Sequence, residues 1–180
     1  MLPIMLDLSQ APVVLYGRGG GAVRRLALLR EAGAADLRVY GDAGVQAAAG
    51  ASWRGKRPSD RELAAARAVF LVDVPEAAEM AAAARAAGVL VNVEDQAALC
   101  DFYTPSVVRR GDLVIAISTT GKSPGLARRI REKIEILFGP EWAERVARLA
   151  AARDGWRRDG VGMADVARRS DELMRNEGWL

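Results

Sequence analysis

The chain has 180 residues, with no histidine and one cysteine, Cys100. Without imidazole there is no Ser-His-Asp triad, no His-ligated zinc and no imidazole acid–base catalysis. Any proton transfer falls to Asp, Glu, Lys, Tyr or Cys. One cysteine cannot form an internal disulfide, and no basic-then-apolar leader opens the sequence. A reducing, cytoplasmic setting is therefore expected. Cys100 itself reads as a small, half-buried residue. No long uncharged apolar run is present, so no membrane span is expected. Aromatic residues are only 6% and are not interleaved with the basic clusters, which argues against a nucleic-acid partner. What is abundant is apolar: 51% hydrophobic residues supply a sizeable core and argue against disorder. The net charge of +3 and the arginine clusters suit an acidic partner such as a polycarboxylate small molecule.

The apolar run Val13-Val14-Leu15-Tyr16 leads directly into Gly17-Arg18-Gly19-Gly20-Gly21-Ala22. The spacing is G-x-G-x-x-A, the turn that joins the first strand of a dinucleotide-binding fold to its first helix. Gly17 permits the tight turn, Gly19 lets backbone approach a pyrophosphate, and Ala22 lets the helix pack on the strand. The helix that follows, with Leu26, Leu29 and Ala32 in period, presents unpaired N–H groups at its start and ends at Gly33.

A second strand is expected at 37–40. The glycine- and alanine-rich stretch 41–55 shows no strong period. Ser59 and Glu62 stand three apart as a capping box before a short helix through Ala66. A buried strand at 69–74, an alanine-rich helix at 76–87 closed by Gly88, and a strand at 89–93 follow. Strand–helix alternation over the first 95 residues predicts an α/β fold with a Rossmann-like, doubly wound parallel sheet. The pattern then changes. Strands at 106–109 and 113–118, separated by Arg110-Gly111-Asp112, read as a hairpin. Ser123 caps a helix with Pro124 at its first position. Leu126, Ile130, Ile134 and Leu137 form one apolar stripe on that helix, and Gly139-Pro140 ends it. Two further helices, split near 155–162, complete the chain. The expected organisation is a dinucleotide domain over 1–105, a strand–helix dimerisation segment over 106–140 and a helical C-terminal region over 141–180.

Two segments outside the glycine turn could carry chemistry. Asn92-Val93-Glu94-Asp95 lies at the carboxyl end of a parallel strand, where open α/β sheets bind ligands. A carboxylate there can sit beside cofactor and substrate and accept protons, although a solvated turn residue has the same signature. Glu94 is expected to point away from Asp95 if the backbone stays extended. The second segment, Ser118-Thr119-Thr120-Gly121-Lys122-Ser123-Pro124, is a hydroxyl-rich turn before a capped helix. It suits a ligand carboxylate, with Lys122 adding charge. It is not a phosphate loop of the triphosphate type, because Ala116 stands where that motif has its first glycine.

In this order the pieces resemble the sirohaem synthase family, in its precorrin-2 dehydrogenase/sirohydrochlorin ferrochelatase module. The resemblance rests on Leu2-Pro3-Ile4, the glycine turn, Glu31-Ala32-Gly33-Ala34, Asn92-Val93-x-Asp95, Phe102-x-x-Pro105-Ser106, and Ser118-x-x-Gly121-x-Ser123-Pro124-x-Leu126-Ala127-Arg128. It covers roughly the first 140 residues. It implies an enzyme that oxidises precorrin-2 to sirohydrochlorin with NAD⁺, and many members also insert Fe²⁺ to give sirohaem. It implies a homodimer sharing 106–138. Asp95 matches the aspartate tied to both activities, and Ser123 matches a serine phosphorylated in some relatives. The cofactor is then NAD. Its expected contacts are Gly17, Gly19, Gly20, Gly21 and Ala22 in the turn, with Tyr40, Asp42 and Ala43 at the second strand. The tetrapyrrole is expected at Asn92, Ser118, Gly121, Lys122, Ser123 and Arg128, with Arg109 and Arg110 suited to its carboxylates. Fe²⁺ enters as substrate, and no residue is expected to hold a resident metal.

The departures are specific. Relatives commonly have glycine where this chain has Arg18, and valine where it has Gly21. Val72-Asp73-Val74-Pro75 replaces the family's Ala-Thr-Asp/Asn. The acid after the second strand, Asp42, lies beyond the strand tip. These leave two alternatives: a member that keeps only the chelatase step, and a non-catalytic module that binds NAD(H) or a tetrapyrrole to regulate or deliver. The methyltransferase domain fused in some relatives has no counterpart here, so precorrin-2 is expected from a separate enzyme.

Overall fold

The computed structural model describes residues 2–179. The chain divides into two compact units, Met1–Tyr103 and Thr104–Leu180, taken here in turn.

The first unit is a five-stranded parallel sheet in the order β3-β2-β1-β4-β5. Its strands are β1 (Val13–Gly17), β2 (Leu37–Gly41), β3 (Trp53–Gly55), β4 (Ala68–Val72) and β5 (Leu90–Val93). Four helices connect them: α1 (Gly19–Glu31), α2 (Ala43–Ala49), α3 (Asp60–Ala64) and α4 (Ala77–Ala86). Every residue of β1 and β4 is buried, as parallel strands covered on both faces require. The period-2 alternation sorts β1 between two cores. Val13 and Leu15 join Leu26 and Leu29 of α1 and Val45 of α2, whereas Val14 and Tyr16 join Met80, Ala81 and Ala84 of α4. Truncating Leu26 or Leu29 to alanine would cost about 2–5 kcal/mol.

Most element boundaries follow their sequence signals. Ser59 and Glu62 cap α3 reciprocally, and Gly33 and Gly88 follow α1 and α4 with positive φ of 82° and 76°. The stretch 41–55 is a correction, because it holds α2 and the edge strand β3. Its start is set by Asp42, whose carboxylate accepts the Val45 N–H as an N-cap. With Val45 and Ala49 as the only buried residues of α2, the helical period was too sparse to see.

In the second unit, β6 (Ser106–Arg110) and β7 (Leu113–Ile117) form an antiparallel hairpin closed by Gly111-Asp112. Gly111 has φ 57°, the left-handed geometry of a two-residue hairpin loop. Three helices follow: α5 (Pro124–Leu137), α6 (Trp142–Arg158) and α7 (Met163–Asn176). Ser123 caps α5 through the Leu126 N–H, with Pro124 at the first position as expected. The apolar stripe of α5 does not hold together. Ala127 is buried and Ile130 and Ile134 are half-buried, but Leu126 and Leu137 are exposed. Helix α6 runs through Gly155, and the break to α7 falls at Asp159–Gly162, where Gly160 has φ 77°. Among the described residues, no helix is long and apolar enough to cross a membrane.

Candidate active site

The glycine turn is built by close contact on one side and openness on the other. A Cβ on Gly17 would stand 2.7 Å from Ala22 Cβ and 2.8 Å from the Val72 carbonyl oxygen, so no other residue fits between β1, α1 and β4. A Cβ on Gly41 would collide with the Gly17 carbonyl. Gly19 has φ 61°, and a Cβ there would meet nothing within 4 Å. Helix α1 receives no side-chain cap from Arg18 and has no acid in its first turn. A positive helix end beside open space fits a dinucleotide pyrophosphate. The Gly19 N–H is held by Asp42 Oδ2 at 2.9 Å.

Asp42 thus bridges two helix starts. Its carboxyl is held below the usual aspartate range, first by the Val45 N–H and then by the Gly19 N–H. With Ala43, Arg18, Gln46, Lys56 and Glu76 it lines a cavity of about 540 Å³ beside the turn. Tyr40 is not part of that wall, which corrects its expected role as a cofactor contact. Its ring is buried between sheet and helices, and its hydroxyl donates to Glu62 Oε1 at 2.7 Å. Ala22 is likewise fully buried and acts by packing. Gly20 stays on the surface, with Arg24 beside it.

A second cavity, of about 400 Å³, opens where β4 and β5 end, lined by Asp73, Val74, Pro75, Glu94, Asp95 and Gln96. Asp73 and Asp95 both have left-handed backbone, φ 52° and 58°. Aspartate tolerates that conformation better than most residues, but it still stores about 1–2 kcal/mol. Glu94 continues the ladder of β5, its N–H bonded to the Leu71 carbonyl, and the alternation that puts Asn92 opposite Phe70 places its side chain on the α1 face, toward the glycine turn. Its Oε2 lies 2.9 Å from where a Gly21 Cβ would stand, and its Oε1 pairs with Arg25 at 3.5 Å. Sequence reasoning gave this residue no role, and the signals available were its place two residues after Asn92 on the same strand face and the valine-to-glycine change at Gly21.

Asn92 is also corrected. It is buried, and its amide donates to the Phe102 carbonyl at 2.9 Å, so it builds the loop rather than facing a ligand. Cys100 lies beside it and binds the Val93 backbone. Among the described residues, no three Asp, Glu, Cys or His side chains converge to hold a metal ion.

In the second unit, the turn before α5 is knitted by its own hydroxyls. Ser118 Oγ accepts the Thr120 N–H, Thr119 Oγ1 accepts the Ser123 N–H, and Ser123 Oγ accepts the Leu126 N–H. Each of the three serves as an acceptor there. A hydroxyl in that role keeps its proton to donate to an anion. Gly121 has φ 79° with open space around it, and Lys122 is exposed. Arg128 is exposed and pairs loosely with Glu132 at 3.5 Å. Arg110 is half-buried, and its guanidinium donates to the Phe138 and Arg109 carbonyls, which takes up N–H groups a ligand carboxylate would need.

These two cavities stand at the carboxyl ends of the strands, flanking the point where strand order reverses between β1 and β4, the usual ligand position of this sheet type. The family model described as "Putative NAD(P)-binding" matches residues 4–106, more than half of the chain. The chain belongs to that NAD(P)-binding family. A second model, "Sirohaem biosynthesis protein central", matches residues 110–136. Among curated proteins, siroheme synthase 1 of Klebsiella pneumoniae is 37% identical over 164 residues, covering 87% of this chain and 34% of that protein. The siroheme synthase of Ectopseudomonas mendocina is 40% identical over 140 residues, covering 74% of this chain and 30% of that protein. The chain therefore spans about a third of the length of these relatives. The solved structure of SirC, precorrin-2 dehydrogenase, superposes with a TM-score of 0.78 over 100% of this chain and 92% of that one, at 22% identity. The likeness to sirohaem synthases drawn from the motifs holds, and so does the α/β fold. Membership in the NAD(P)-binding family supports the expected NAD cofactor.

Proposed function

We propose that the chain oxidises precorrin-2 to sirohydrochlorin with NAD⁺, as one step of sirohaem biosynthesis. The observation that carries this reading is a carboxylate, Asp95, lining the cavity at the strand ends next to an open glycine turn, in a chain whose relatives are siroheme synthases. Two hydrogens leave precorrin-2 in the reaction, one as hydride and one as proton. The bound nicotinamide supplies the hydride acceptor. Asp95 takes the proton on its carboxylate and returns it to water, which its exposure allows. The dinucleotide is held at Gly17, Gly19, Gly20 and Gly21, with its adenosine half toward Asp42 and Ala43. Asp73, Glu94 and Asp95 repel the substrate's own carboxylates from their cavity and leave it to the uncharged macrocycle. In the second unit, Lys122, Arg128, the N–H groups around Gly121 and the hydroxyls of Ser118 and Ser123 are the groups suited to binding tetrapyrrole carboxylates.

Fe²⁺ insertion belongs to the same proposal. The metal arrives as substrate, two pyrrole N–H protons leave, and Asp95 is the base at hand. A homodimer is proposed through 106–140, supported by the exposed Leu126, Ile136 and Leu137 on α5. The test is a paired assay. Protein mixed with precorrin-2 and NAD⁺ should produce NADH, and the product should then show an Fe²⁺-dependent spectral change. Dinucleotide binding without NADH production would instead make the chain a binding module.

A further inference from the structure

Glu94 is the acidic side chain that reaches from the end of β5 to the glycine turn, and the proposed dehydrogenase reading gives it no role toward the cofactor. In the order β3-β2-β1-β4-β5, Asp42 follows β2, the glycine turn follows β1, Asp73 follows β4 and Glu94 follows β5. A dinucleotide laid across this edge with its adenosine ribose at Asp42 carries its nicotinamide over the ends of β4 and β5. Glu94 stands on that path, in a notch that exists because residue 21 is glycine. Any Cβ at position 21 would press on its Oε2 and on Val72 Cγ1, at 2.9 and 3.1 Å. Arg25 anchors the carboxylate from behind. Its side chain is 11% exposed and lies over the Phe70 ring, against 32% exposure for Glu94. The pair therefore shows its negative end to the cavity, beside the further carboxylates of Asp73 and Asp95.

Nicotinamide carries a positive charge when oxidised and none when reduced. An anion fixed along its path stabilises only the oxidised form, in a setting where solvent screens less than in bulk water. We propose that Glu94 biases this site toward NAD⁺ over NADH. This inference rests on the NAD-dependent reading and deepens it. The cofactor enters with the charge that Glu94 attracts, the hydride cancels that charge, and the reduced product then binds without that attraction.

The experiment measures dissociation constants of NAD⁺, NADH and ADP-ribose for the full chain and for Glu94→Gln, with Glu94→Asp as a charge-retaining control. ADP-ribose lacks the nicotinamide and reports the turn alone. In the wild-type chain NAD⁺ should bind more tightly than NADH. Glu94→Gln should lower the ratio Kd(NADH)/Kd(NAD⁺) about tenfold, chiefly by weakening NAD⁺, and Glu94→Asp should keep most of it. ADP-ribose affinity should stay within about twofold in all three. An unchanged ratio in Glu94→Gln overturns the inference while leaving the dehydrogenase reading intact. Parallel weakening of all three ligands also overturns it and assigns Glu94 to the structure of the turn. Failure of the wild-type chain to bind any of the three removes both readings at once.

Discussion

Cys100 binds Val93 through both polar groups of its backbone: the thiol donates to the Val93 carbonyl at 3.1 Å and accepts the Val93 N–H at 3.2 Å. Two residues earlier, Val91 makes the corresponding pair with Asp101, through the Asp101 N–H and the Asp101 carboxylate. The segment 100–102 therefore satisfies the open edge of β5 as a strand would, but largely with side chains. Arg85 holds it there, bonded to Asp101 and to the Leu99 carbonyl. The loop that this clasp closes contains Glu94 and the left-handed Asp95.

Removing the thiol should loosen the loop without unfolding the sheet. Cys100→Ala is expected to cost about 1 kcal/mol in urea denaturation and to lower kcat for NADH production, with dinucleotide affinity retained. Cys100→Ser supplies a donor and acceptor of similar size and should recover most of the rate. Equal rates in both variants and wild type would show that the clasp does not position Asp95.

Asp95→Asn is the cleaner test of the proposed base, because asparagine also tolerates φ 58° and keeps the shape of the side chain. NADH production from precorrin-2 should fall about 10²–10⁴-fold, the usual contribution of a positioned acid–base group. NAD⁺ affinity should change little. Asp95→Ala should lose the same activity and about 1 kcal/mol of stability besides, from forcing alanine into left-handed backbone. A rate near wild type in Asp95→Asn would move the base elsewhere, with Asp73 and Glu94 next in the same cavity.

How much of this was legible in the sequence depended on how local each signal was. The glycine turn, the Ser59–Glu62 box, the Gly111 hairpin and the Ser123-Pro124 start are set by residues within a few positions of one another, and each stands where its chemistry required. Four of the five strands of the parallel sheet declared themselves as short apolar runs, whereas the edge strand β3, Trp53–Gly55, has no such run. Helix α2 did not declare itself either, since only Val45 and Ala49 of its seven residues are buried and its apolar period is too sparse to follow the cap at Asp42. The same holds for the sites. Asn92, Tyr40 and Arg110 sit at or beside positions that could face a ligand, but each has its polar group taken by a partner ten, 22 or 28 residues away. Glu94 is the converse, a residue that alternation places on the α1 face but whose approach to Gly21 depends on a helix that begins more than 70 residues earlier in the chain.

The two glycines of the turn should fail differently. Gly17→Ala places a methyl inside the contact of β1, α1 and β4, and the loss of soluble, folded protein is expected. Gly19→Ala meets no neighbour, so its cost is the left-handed backbone alone, about 1–2 kcal/mol. Its methyl nevertheless projects into the space proposed for the pyrophosphate. NAD⁺ and ADP-ribose affinity should both fall by about tenfold or more while the protein stays folded, measured by calorimetry on protein verified by circular dichroism. Retained affinity in a folded Gly19→Ala would place the pyrophosphate elsewhere.

Tyr40 gives the fold an alkaline limit whose sign can be worked out. Burial of the ring, and then the Glu62 carboxylate that accepts its hydroxyl, push the phenol from its ordinary 10.0 up to about 12. The folded state thus keeps this proton at a pH where the unfolded chain has released it. Stability from this group is whole below pH 10 and is lost as pH rises through about 12. Tyr40→Phe removes the hydrogen bond to a charged acceptor and should cost about 1–3 kcal/mol near neutrality. It should also flatten the decline between about pH 10 and 12, because phenylalanine has no proton to lose. Urea denaturation at neutral pH and at about pH 11, with phenolate absorbance followed in parallel, reads both effects. If wild type and Tyr40→Phe lose stability in parallel across that window, the alkaline transition belongs to the lysines rather than to this buried pair.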